Sequence, residues 1–194
     1  MKAGINYEQA RTLLDENIKD PVIKMHSIES EAVLRGLARH FGEDEELWGV
    51  AGLLHDIDFD KTKDDIKNHG VLCKQILKDA GVSDELIEVI ASHTYGMEEI
   101  PEYKDKQRSS KFEHCLAAGE TVTGLIYAYG LMRPDKKLAN AEVKSIKKKF
   151  KDKSFATKVN RDVIRECEKC GLELSEFLQI ALDAMKGIAS EIGL

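Results

Sequence analysis

Residues 49–60 read GVAGLLHDIDFD. The first half is a run of small and branched apolar residues. The second half sets His55 and Asp56 directly after two leucines, with Asp58 and Asp60 close behind. A charge carried to the edge of a core is costly unless something compensates it, so this pair needs either a structural hydrogen-bond partner or a metal ion. The apolar half reads as helical: Leu47, Val50, Ala51 and Leu54 share one face of a helix from Glu43 to about Asp56.

The same period recurs on both sides. Upstream, Asp20-Pro21 is an N-cap with proline at the first helical position, and Val22, Met25, Val33, Leu37 and Phe41 keep helical spacing until Gly42. Downstream, helices are predicted over Asp65–Ala80, from Ser83 to His93, and from Ser110 to about Leu131. Further helices are predicted over Asn140–Phe150, Lys158–Cys170 and Ser175–Ile192, and one near Tyr7–Ile18 precedes them all. Sustained apolar–polar alternation is absent. The expected class is all-α, a bundle of eight to nine helices. Only three prolines occur, and no Gly/Ser/Pro-rich linker divides the 194 residues. The reading is therefore one domain over 1–194, with a core at 21–131 and a C-terminal helical extension at 132–194.

Helical phase says where the histidines point. His26 shares a stripe with Val22, Ile23 and Val33. His55 follows Ala51 and Trp48, His69 stands one turn before Leu72 and Cys73, and His93 follows Val89 and Ile90. Four of the six histidines thus face inward from four elements, together with Asp56. Imidazole and carboxylate are the ligands that divalent transition metals favour, and a helical bundle is a known frame for such a site. His40 and His114 lack the pattern and read as structural or surface residues. Cys167-Glu-Lys-Cys170 has zinc-knuckle spacing but no second ligand pair nearby, and also reads as structural.

The order of His26, His55-Asp56, His69 and His93, with "LLHDIDFD" and "NHGVLCKQIL…VIASH", resembles the HD superfamily of metal-dependent phosphohydrolases, in its HDIG-type subset. The tail "EVKSIKKKFKDKSFATKVNRDVI" is similar to that of a small stand-alone bacterial group. The resemblance implies a helical bundle that binds one or two divalent ions (Mn, Fe, Co, Ni or Zn) and hydrolyses a phosphate ester, as a phosphomonoesterase or a phosphodiesterase. His26, His55 and Asp56 match the family's first three ligands, and His69 and His93 match those of a second metal. The family's last ligand is an Asp on the long helix, in a sequence like A-D-E-x-T-G. Here residues 116–125 read LAAGETVTGL, which sets Gly119 at that place. Glu120 lies about 100° around an ideal helix, so it reaches the centre only if the helix bends or its longer side chain reaches around. An alternative function follows from Gly119: a weak or inactive HD domain with a ligand-binding or regulatory role.

Charge refines the picture. The net charge is −6, against nucleic-acid or anionic-membrane binding. Yet residues 144–161, KSIKKKFKDKSFATKVNR, hold eight basic residues and one acidic. Lys148, Lys149 and Arg161 are the candidates for contacting substrate phosphate, Asp56 and Asp58 are the acidic catalytic candidates, and Asp58 and Asp60 are placed to hydrogen-bond the ligands or orient a water. No stretch approaches the roughly 20 apolar residues of a membrane span. The charged N-terminus and four scattered cysteines predict a cytoplasmic protein with reduced thiols. The "GYP" element of cyclic-dinucleotide phosphodiesterases is missing, which leaves a small phosphate ester, with nucleotides among the candidates, as the expected substrate.

Overall fold

Asn6 opens the first helix with a reciprocal cap, its Oδ1 accepting from Gln9 N and its own N–H donating to Gln9 Oε1, each at 2.9 Å. In the computed structural model, which describes residues 1–194, α1 runs Tyr7–Asn17. Asp20 caps α2, Pro21–Phe41, accepting from Val22 N at 2.9 Å, and Gly42 ends it in the left-handed region. Asp44 caps α3, Glu45–Leu54. A short α4, Phe59–Thr62, leads to α5, Val71–Asp79, and Ser83 caps α6, Asp84–Ala91, which tightens into the 3₁₀ turn Ser92–Thr94. The long α7, Lys111–Met132, opens on a second capping box, Ser110 with Glu113. The extension adds α8, Val143–Lys151; α9, Arg161–Ile164, continuing as the 3₁₀ segment Arg165–Cys170; and α10, Leu174–Gly187. No strand forms, so the all-α expectation holds.

α7 is buried on nearly every side, because α2, α6, α8, α9 and α10 all pack against it. The extension folds back onto the earlier helices: Phe177, Leu178, Ala181 and Leu182 of α10 join Val33, Leu34 and Leu37 of α2 in one continuous apolar core. The expected Asp65–Ala80 helix is corrected at its start. Residues 66–68 form a 3₁₀ turn, His69 is extended and Gly70 has φ 76°, so the α-helix begins only at Val71. His69 therefore sits just outside a helix rather than on its face.

Candidate metal centre

The site starts from a close approach of two backbones. α2 and α3 form an antiparallel pair, and a Cβ at Gly52 would lie 2.6 Å from Ser30 O. Only glycine permits that contact. One turn away in each chain direction stand His26 and His55, and the approach brings their Nε2 atoms to 3.1 Å. Asp56 Oδ2 lies 3.5 Å from His55 Nε2 and 3.9 Å from His26 Nε2. The other oxygen of the same carboxylate, Oδ1, lies 3.4 Å from both His69 Nε2 and His93 Nε2, which are themselves 3.1 Å apart. Asp56 thus stands between two histidine pairs, one oxygen to each. The first pair, with Oδ2, is called seat one below, and the second, with Oδ1, seat two.

The far nitrogen of each ring fixes its tautomer. His55 Nδ1 donates to Gly52 O at 2.8 Å and His93 Nδ1 to Ile90 O at 2.7 Å; a carbonyl can only accept. His69 Nδ1 meets Asp58 Oδ1 at 2.9 Å, and Asp58 Oδ2 accepts from Gly70 N at 2.8 Å and Cys73 N at 3.0 Å. His26 Nδ1 lies 3.0 Å from Thr123 Oγ1, whose own proton goes to Glu120 O at 2.7 Å, so the hydroxyl accepts from the imidazole. With every Nδ1 a donor, all four neutral rings turn an Nε2 lone pair inward, and the lone pairs face each other in twos. Such an arrangement repels unless a proton or a cation lies between the nitrogens.

Electrostatics without a metal shows the demand for positive charge. Burial works against protonation of His26, but Glu120, Asp56 and Glu29 outweigh it and lift its pKa to about 9. Burial likewise opposes a charge on His69, yet Asp56 and Asp58 lift it to about 10. His55, the partner of His26, is pushed down to about 4, mainly by burial. Burial would raise the Asp56 carboxyl, but the surrounding imidazoles hold it well below the carboxylate range. The spacings at seat two match those of ligands around one divalent cation, while seat one is wider, at 3.5 and 3.9 Å from Asp56 Oδ2. Two ligands each about 2.1 Å from one ion lie about 3.0 to 3.4 Å apart between right-angle and tetrahedral geometry. The 3.1 and 3.4 Å spacings within seat two fall in that range, and each trio of ligand atoms lies within 4.8 Å.

The model of the HD domain family matches residues 24–128, more than half of the chain and the span that holds all four histidines and Asp56. The chain belongs to the HD domain family. Neither a curated protein nor a solved structure matched it. HD domains bind divalent metals as hydrolases, and this one carries His/Asp groups able to hold them.

Within this HD domain the structure corrects several expectations. Gly119 does not face the centre: a Cβ there would lie 2.7 Å from Leu34 Cδ2, with Leu37 and Val33 at 3.4 Å. Its small size lets α7 close on α2, and an aspartate would be buried among three aliphatic side chains. The carboxylate at the centre belongs to Glu120, whose Oε2 lies 3.7 Å from His26 Nε2 and whose Oε1 accepts from Thr121. Asp58 is fully buried and orients His69, so it is a positioning residue, not a catalytic one. Asp60 accepts from Lys19 N at 2.6 Å and Asp20 N at 3.1 Å, tying the start of α2. Arg161 is consumed by its own loop. It donates to Ala156 O at 2.5 Å, Val159 O at 2.6 Å and Phe155 O, and so holds Ala156 at φ 46°. Lys149 lies over the Phe155 ring, Lys148 is exposed, and neither contacts a metal ligand. His40 is an exposed surface residue and His114 a structural one, buried against Glu166, as expected.

A cleft of about 590 Å³ lies elsewhere, between α1, α2 and α10. Its Glu31 accepts from Tyr7 Oη at 3.3 Å and Arg35 Nε at 2.8 Å, and it holds none of the metal-ligating trios.

Proposed function

We propose that this HD domain is a metal-dependent phosphohydrolase acting on a small phosphate ester, nucleotides being among the candidates. The observation that carries the reading is Asp56, shared oxygen by oxygen between two imidazole pairs whose lone pairs converge. Divalent ions held by such a set supply Lewis acidity to a phosphoryl oxygen and lower the pKa of water. The chain's own residues define the direction of approach. Side-chain exposure is 25% at His26 and 16% at Glu120, beside seat one, but 5% at His69 and 6% at His93 of seat two, so substrate meets the His26 side of the centre first. Glu120 stands at that mouth, its Oε1 accepting from Thr121 and its Oε2 3.7 Å from His26 Nε2.

The basic loop sits on the same side. Val159 packs on Gly124 of α7, one turn beyond Glu120, and none of the eight basic side chains from Lys144 to Arg161 forms an ion pair. Lys153 and Lys158, both exposed, are its candidates for anionic groups of the substrate beyond the reacting phosphate. The inactive-domain alternative loses its main support, since Gly119 faces the apolar core.

The test is elemental analysis of protein purified without chelators, followed by assay on phosphomonoesters, phosphodiesters and nucleotides with added Mn, Fe, Co, Ni or Zn. Bound metal with metal-dependent phosphate release is expected. Metal-free protein that takes up none of these ions would sink the reading.

A further inference from the structure

A buried charge cluster lies behind His93. Arg108, just before α7, forks onto Glu166 with Nε to Oε2 and Nη2 to Oε1, both at 2.7 Å. Its Nη1 donates to three carbonyls, Ser92 O at 2.7 Å, Tyr95 O at 3.0 Å and His93 O at 3.3 Å. His114 Nδ1 adds a third bond to Glu166 Oε2 at 2.7 Å. The three side chains are 8, 12 and 9% exposed.

The placement has a physical reason. α6 and its 3₁₀ turn end at Thr94, and the last carbonyls of a helix have no donors of their own. One guanidinium closes that end with hydrogen bonds and positive charge. Its orientation is set by Glu166, which belongs to the 3₁₀ segment Arg165–Cys170 of the C-terminal extension. The turn it closes carries His93, one of the two imidazoles of seat two. Seat one has no such tie, because His26 and His55 are set by the α2–α3 approach itself.

We infer that the C-terminal extension completes seat two: Arg108, clamped by Glu166 and His114, is a positioning residue that holds the Ser92–Tyr95 turn so that His93 meets His69 and Asp56. The inference rests on the two-seat reading above. Linkage makes it reciprocal, so a cation in seat two holds the extension down.

Mn(II) titration of wild type, Arg108→Lys and Glu166→Gln, with free Mn(II) counted by electron paramagnetic resonance, tests it. Lysine keeps the charge but lacks the fork. Wild type is expected to take up two Mn(II). In Arg108→Lys one of the two sites should weaken by about 10- to 100-fold, the range for loss of a ligand-orienting partner, while the other is unchanged. Glu166→Gln should move the same site by less. Equal weakening of both sites, or of neither, overturns the inference while the two-seat reading stands. A wild-type chain that binds fewer than two Mn(II) overturns the two-seat reading and the inference with it. Should both variants fail to fold, hydrogen exchange of wild type decides. Residues 161–170 are expected to exchange faster after chelation, and identical exchange with and without Mn(II) overturns the proposal.

Discussion

The two seats share a ligand and differ in almost everything else. Seat two is sealed: His69 is oriented by a carboxylate that two backbone N–H groups hold, and His93 rides on a turn locked by Arg108. Seat one is open, and one of its imidazoles, His26, is oriented only by the Thr123 hydroxyl. Rigid partners suit an ion that stays, whereas an open, lightly held position suits the exchange of water for substrate. The contrast teaches that one carboxylate can face two histidine pairs held in neighbourhoods of unequal stiffness.

The contrast breaks most completely at Asp56. Asp56→Ala removes an oxygen from both seats, and uptake of metal and phosphate release should both fall below detection by elemental analysis and assay. Asp58→Asn should act on seat two alone, weakening one of two ions by about 10- to 100-fold in a metal titration and leaving the other.

Acidity should reveal the proton that stands in for each ion. His26, raised to about 9, and His69, raised to about 10, are charged in the metal-free chain at neutral pH. A cation must displace those protons. Affinity should therefore rise with pH up to these values, by about tenfold per unit for each seat while one proton is released. Titrations at pH 6, 7 and 8 check the slope, and a flat profile would contradict the shared-proton picture. Thr123→Val should cost seat one less, about tenfold, at the low end of the range for an orienting partner. Lys153→Glu and Lys158→Glu should have the smallest effect, about a few-fold in KM with metal content unchanged, as expected of exposed charges screened by solvent.

Legibility followed the range of the interactions. The inward phase of His26, His55 and His93 could be read because helical period is a local property. His69 was found although its helix starts later than expected, at Val71, since sequence spacing survives a shifted boundary. Helical phase sets residue 119 toward the centre, whereas the structure sets Glu120 beside His26. Gly119 and Glu120 are about 100° apart on α7, and which of them faces His26 depends on how α7 is rotated against α2. That rotation is set by the packing of Gly119 on Val33, Leu34 and Leu37. Charge alone points Arg161 at phosphate, and the loop carbonyls that consume it only come together in the folded chain.

By itself, then, the sequence determined the all-α class, the family and five of the residues at the metal centre, because periodicity and short motifs are written in neighbouring positions. Only the tertiary structure decided that Asp56 faces two histidine pairs with separate oxygens, that Glu120 and not residue 119 stands beside His26, and that Arg108 joins the extension to His93. Those facts depend on helix rotation and on partners as distant as Arg108 and Glu166, 58 residues apart, whose meeting no local pattern encodes.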